Sequence, residues 1–134
     1  MDKAYQRDLA KVRQERAQEL LDEAKELLDK GAYKSANNRA YYAVEKSIKA
    51  LLATKEIDAV THNGVLKQFN YFFIYQGDNT FTAEDYQIIA QSEQIRNASD
   101  YDDFYIAVKD ESQQQVENAG YIVGKVERYL KNER

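Results

Sequence analysis

The sequence has no cysteine, which removes disulfides, zinc–thiolate sites and thiol nucleophiles and leaves the redox compartment unmarked. It has no proline and only five glycines, a shortage that starves hairpins and sandwiches of turn residues and suits long helices. A single histidine is present, so a mechanism needing two imidazoles would have to draw one from each of two chains. No apolar run approaches a membrane-spanning length, and the N-terminus is charged from its second residue, unlike a signal peptide. A cytoplasmic protein without membrane contact is therefore expected. The glycine-rich phosphate loop, the Walker lysine, the serine nucleophile elbow and paired zinc-binding histidines are also missing, and no motif demands a cofactor or a metal.

What is present is an ordinary globular balance, 43% apolar and 31% charged residues with a net charge of −4. That balance predicts one folded domain over residues 1–134 and disfavours a surface coated in positive charge to grip duplex nucleic acid. Helical periodicity runs over 3–30 through Leu9, Val12, Leu20, Leu21, Ala24, Leu27 and Leu28, with Gly31 as the stop. A second helix starts between Tyr33 and Ala36, buries Ala36, Ala40, Tyr41, Val44, Ile48, Leu51 and Leu52, and ends near Lys55. After a connection over 57–65, Thr61 is the candidate cap of a third helix carrying Val65, Leu66, Phe69, Phe72 and Phe73.

Thr82 and Asp85 mark the start of a fourth helix with Tyr86, Ile89, Ala90 and Ile95 inward. A break over 97–103 and a short extended piece at 104–108 precede a last helix over about 110–131, with Val116, Ile122, Val123, Val126 and Leu130 facing inward. The expected fold is all-α, a five-helix antiparallel up-and-down bundle. Leu9, Val12, Val126 and Tyr129 form a surplus apolar stripe that would bury against a second copy in a homodimer.

Several residues could carry chemistry. On the second helix, spacing by three and four sets Asn38 beside Tyr41 and Tyr42, with Arg39 and Lys46 nearby. The plain reading is interhelical hydrogen bonding, with an arginine paired to an aspartate of 100–103. His62 caps the third helix or serves as an acid or base. Arg96 in the last turn of the fourth helix either answers the helix dipole or binds a phosphate and the charge that grows on phosphorus during RNA cleavage. Asp100, Asp102 and Asp103 invite a calcium-loop reading, which fails because Phe104 and Tyr105 stand where an oxygen ligand and a glycine are needed. Magnesium held by one or two carboxylates and a phosphate stays open.

Three blocks in series, ANNRAYYAVEKSIKALLATKEI at 36–57, THNGVLKQF at 61–69 and IRNASDYDD at 95–103, resemble the HEPN (higher eukaryotes and prokaryotes nucleotide-binding) superfamily, in particular its small stand-alone prokaryotic members. The resemblance covers nearly the whole chain. It implies a helical bundle, commonly homodimeric, among relatives that include metal-independent ribonucleases and the toxin halves of toxin–antitoxin pairs whose partner is a small nucleotidyltransferase.

In the active ribonucleases an arginine followed after four to six residues by a histidine lines a cleft at the dimer interface. Arg96 matches that arginine, but Tyr101, Asp102 and Asp103 stand where the histidine would be sought. In nucleotidyltransferase-paired relatives a modifiable tyrosine follows the histidine by two residues; that position here is Asp103, with Tyr101 and Tyr105 as neighbours.

The expectation is a cleft of Asn38, Arg39, Tyr42 and Asp100 around Arg96, His62 and Tyr101 that recognises a nucleotide or the phosphate of single-stranded RNA. The setting would be a toxin–antitoxin or defence system. Two other readings stay open: a metal-independent endoribonuclease in which Arg96 acts with His62 or Tyr101, and a non-catalytic partner protein in which 95–103 is a helix joint pinned by Arg–Asp pairing.

Overall fold

The computed structural model describes residues 2–59 and 61–132, and among them every regular element is helical. Helix α1, Lys3–Asp29, begins where the Asp2 carboxylate accepts from the Tyr5 N–H. It ends in a Schellman-type turn: the N–H of Ala32 reaches the Leu27 carbonyl while Gly31 sits at φ 78°, a conformation that costs glycine nothing. Helix α2 is Tyr33–Ala53 and helix α3 is His62–Phe69, the latter capped by the Thr61 hydroxyl accepting from the Gly64 N–H. Val60, inside the expected connection, lies outside the described residues.

Helix α3 runs directly into wider π turns over Asn70–Tyr75. These keep Phe69 and Phe73 on the core side, their rings stacked at 6.1 Å and both meeting Phe81 edge-on. The turns close at Gly77, where a Cβ would stand 2.1 Å from the Phe73 carbonyl oxygen. Helix α4 is Ala83–Tyr101, opened by a capping box in which Thr82 and Asp85 bond each other's backbone, and helix α5 is Lys109–Asn132.

The register of side-chain pairs shows an up-and-down bundle. Glu23 lies by Arg39 and Gln14 by Ser47, so α1 and α2 run in opposite directions. Asn38 meets Asp100 and Tyr41 meets Glu93, which makes α4 antiparallel to α2. Helix α2 packs against all four other helices, and one buried cluster draws Leu20 and Leu21, Val44 and Ile48, Leu66 and Phe69, Ile89, and Val123 and Val126 from the five helices. Burying a side chain of this size contributes about 1.5–3 kcal/mol, and this apolar core is the main support of the fold.

Three expectations need correction. Helix α4 continues through Asn97–Tyr101, so Asp100 and Tyr101 are helical residues and the break begins at Asp102; the side chain of Ser99 bonds the Ile95 carbonyl and that of Asn37 bonds Ser99, which holds this last turn. Residues 104–108 form no strand, having none beside them to pair with among the described residues. The surplus stripe is largely spent inside the chain: Val126 is fully buried, and Tyr129 lies against Phe73 and Phe81. Only Val12 of the four is well exposed. Helix α2 stops at Ala53 with Thr54 as its cap, close to the expected end at Lys55.

Asp85 does more than cap α4. Its carboxylate is buried and accepts from the Thr82 N–H at 3.0 Å, the Tyr121 hydroxyl at 2.8 Å and Lys125 Nζ at 2.7 Å, which ties α4 to α5. Burial pushes its pKa up, but the bonds from Lys125, Tyr121 and Thr82 outweigh that and hold the carboxyl below the usual carboxylate range. A depressed carboxyl contributes stability that is full above about pH 4 and lost as pH falls below it. Asp85→Asn should therefore cost about 3 kcal/mol at neutral pH. Chemical denaturation should also show a shallower loss of stability in acid for the variant than for the wild type.

Candidate functional site

The facing sides of α2 and α4 carry a concentration of polar and charged side chains. Arg96 sits at its centre, 2% exposed. Its guanidinium carbon lies 5.2 Å from the Tyr41 ring centre, 5.5 Å from that of Tyr42 and 5.7 Å from that of Tyr101, three aromatic faces that stabilise a cation. Its hydrogen bonding is sparse for so buried a charge. Nη1 donates to the Tyr42 hydroxyl at 3.4 Å and faces Asp100 Oδ2 at 3.7 Å. The buried Nε–H has no partner. An unsatisfied buried donor beside a charge is costly in a finished core and is the sort of group an anionic ligand would satisfy.

Asp100 is shared: its Oδ2 also accepts from Asn38 Nδ2 at 2.9 Å. Asn38 in turn accepts from Arg39 Nη1 at 2.8 Å. Arg39 itself points towards α1, 4.0 Å from Glu23, and so stands at the edge of the group. Tyr101 rests on Arg96 with 74% of its surface in water, a cover that is itself free on its outer side.

His62 belongs to the same neighbourhood through the tyrosines. Its ring centre is 5.6 Å from that of Tyr41 and 6.1 Å from that of Tyr42, the rings that also flank Arg96. Its Nδ1 is paired with the carboxylate of Glu45, so Nε2 is the nitrogen turned away from the pair. Glu45 also accepts from the Tyr41 hydroxyl at 3.1 Å, and that hydroxyl lies 3.0 Å from Glu93. Burial first, and then the charges of Glu45 and Glu93, push the Tyr41 phenol far above its ordinary value, so Tyr41 remains a protonated donor throughout the working pH range.

The structure thus gathers Asn38, Tyr42, His62, Arg96, Asp100 and Tyr101 and leaves Arg39 at the rim. Two members escaped the sequence reading, Glu45 and Glu93. The available signal was Glu45 itself, a carboxylate one turn after Tyr41 on a helix face that is otherwise apolar. Asp102 and Asp103 are exposed, with Asp102 accepting from the Phe104 N–H. Among the described residues no three carboxylate or imidazole groups are placed to hold a metal ion. A concavity of about 680 Å³ lies elsewhere, between the end of α1 and the start of α5, lined by Lys25, Lys30, Tyr33 and Lys109 among others. It contains none of the residues above, and its mixed acidic and basic rim offers no convergent chemistry.

The profile of the HEPN domain family matches residues 10–132 of the chain. A protein of Methanocaldococcus jannaschii, named as a candidate toxin, is 32% identical over 97% of this chain and 86% of its own length. A second protein of that organism, named in the same way, is 41% identical over 63% of this chain and 62% of its own length. A Thermotoga maritima protein, called only a UPF0332 protein, is 45% identical over 46% of this chain and 47% of its own length. No helix among the described residues is long and apolar enough to cross a membrane.

The stacked guanidinium predicts an uneven response to substitution. Arg96→Ala should lower stability by about 2–3 kcal/mol, since it removes a buried cation from three rings and from Asp100. Tyr101→Ala, whose ring is mostly in water, should cost under about 1 kcal/mol. Urea unfolding of the two variants beside the wild type checks the contrast.

Proposed function

This chain belongs to the HEPN domain family, and from that premise we propose that it is a toxin-like protein that binds a nucleotide or RNA phosphate at Arg96. The carrying observation is the buried guanidinium with its unpartnered Nε–H, roofed by an exposed tyrosine. A phosphate oxygen would supply the missing acceptor, and rotation of Tyr101 outward would open the way to it. Asn38 and Tyr42 add neutral donors, and Asp100 holds the arginine in place until an anion replaces it. The names of the two M. jannaschii relatives support a toxin role. We place its action in the cytoplasm, where RNA is available. A nucleotidyltransferase is the partner we expect, with Tyr101 a more accessible target than Tyr105, whose hydroxyl is engaged by Glu111.

A second reading, metal-independent RNA cleavage, is favoured by the His62–Glu45 pair. A carboxylate on Nδ1 orients an imidazole and leaves Nε2 to take or give a proton, the arrangement used by many general bases. Arg96 would then stabilise the charge on phosphorus. His62 rather than Tyr101 is the proton carrier in this reading, because its imidazole is already oriented by Glu45.

Dimerisation belongs to the same proposal, through a surface other than the stripe consumed by the core. Phe104, at 94% exposure, stands in the turn over 102–105, and the exposed Ile106 and Val108 follow it. Among the described residues none hydrogen-bonds the backbone of Ile106 or Ala107. Apposition of two copies about Ile106 would bury Phe104, Ile106 and Val108 of each against the other, a self-complementary apolar contact.

Two measurements test these statements. Wild-type protein should bind a labelled single-stranded RNA, with Arg96→Lys weakening binding about tenfold or more while circular dichroism stays unchanged; equal affinity would remove Arg96 from the site. Cleavage in chelator that disappears in His62→Ala would turn the binder into a ribonuclease, whereas binding without any cleavage leaves the first reading standing. Separately, Ile106→Lys should convert a dimer to a monomer in sedimentation, and a dimer that persists would discard that surface.

A further inference from the structure

We infer that the outer face of α3 and its π turns is a stacking platform for the bases of single-stranded RNA, an assignment that rests on the phosphate-binding reading of Arg96. Asn63, Lys67, Tyr71 and Tyr75 recur four residues apart, and all are exposed. Tyr71 is 47% and Tyr75 80% exposed, with ring centres 6.0 Å apart and planes tilted by 20°. Gln76 Nε2 donates to the Tyr71 hydroxyl at 3.0 Å, and the Tyr71 ring stands edge-on to Phe72 at 4.8 Å. The inner aromatics of the same turns, Phe69 and Phe73, are buried; the outer pair is held flat and parallel in water. Widened helical turns often coincide with functional sites because they re-aim side chains.

Charge separates this face from the rest of the molecule. The chain carries 23 acidic residues, yet none falls between Asp58 and Asp78, and Lys67 is the one formal charge in that interval. A polyanion can therefore approach without the repulsion that an acidic protein offers elsewhere. An uncharged aromatic pair beside a lysine and amide side chains suits bases of any sequence, because every base has a π face to stack. Lys67 for the phosphates beside two aromatic rings for the bases is the combination that favours RNA over a protein partner.

Position supports the same occupant. Helix α3 starts at His62, whose ring lies on Tyr41 and Tyr42, and these two rings flank Arg96. A strand whose phosphate rests on Arg96 is led along α3, past Lys67, to Tyr71 and Tyr75, a path of about 20 Å at 1.5 Å per residue. The platform thus extends a one-phosphate site to a segment of a few nucleotides.

Fluorescence anisotropy with a labelled oligouridylate, on wild type, Tyr71→Ala, Tyr75→Ala, their double variant, the matching phenylalanine variants and Lys67→Ala, tests this. Each alanine change should weaken binding about tenfold, while the phenylalanine variants keep wild-type affinity. Lys67→Ala should reduce the slope of log affinity against log salt by about 0.7. Wild-type affinity in the double alanine variant would overturn the platform and leave the Arg96 reading intact. A failure of wild type to bind the oligonucleotide would overturn both. Unaltered RNA affinity together with altered self-association of the double variant would make this face a protein-docking surface instead.

Discussion

Helix α2 packs against every other helix, so the buried polar side chains Asn37 and Ser47 are cut off from water and bond their neighbours instead. Ser47 donates to Gln14 of α1, which itself donates to the Val123 carbonyl of α5. Asn37 donates to Ser99 of α4, while Gln115 of α5 donates to the carbonyls of Asn37 and Ser92. These bonds add only about 1 kcal/mol each, but leaving any of them unmade would cost more than that. Sliding a helix by one turn would orphan several at once, so the enclosure of α2 sets the register of the bundle as well as its stability.

The same enclosure makes the candidate site. Tyr41, Glu45 and Asn38 share one helix with the core residues Val44 and Ile48, and their partners His62, Glu93, Arg96 and Asp100 are brought in by α3 and α4. Buried and half-buried charges of opposite sign lie within a few side chains of one another in a low-dielectric setting. There each is strongly felt by its neighbours, as the upward push on the Tyr41 phenol shows. A rigid scaffold holds the functional groups, and mobility is left to exposed parts such as the Tyr101 ring.

Much of this was legible from residue order, because helices announce themselves by period and by caps. The cap residues Thr61 and Thr82, the Gly31 stop and the inward positions of α2 follow from local rules. The π turns were hidden because Asn70–Tyr75 has the same apolar spacing as an ordinary helix, and the widening answers the packing of Phe69, Phe73 and Phe81. The end of α4 was misplaced for a related reason: Asn97, Ser99 and Asp100 favour breaks in isolation, yet Asn37 and Asn38 of α2 bond Ser99 and Asp100 and keep the turn helical.

The sequence by itself determined the helical class, the family, the order of elements and the presence of an arginine at the end of α4 without the histidine expected after it. The family rests on resemblance over residues 10–132, and the others on composition, periodicity and spacing, which are properties of neighbours along the chain. Only the tertiary structure decided that Arg96 is buried among three tyrosines and that His62 is paired with Glu45. The His62–Glu45 and Arg96–Tyr41 contacts join residues 17 and 55 positions apart, and a pairing across such distances is chosen by how faces pack rather than by any local preference.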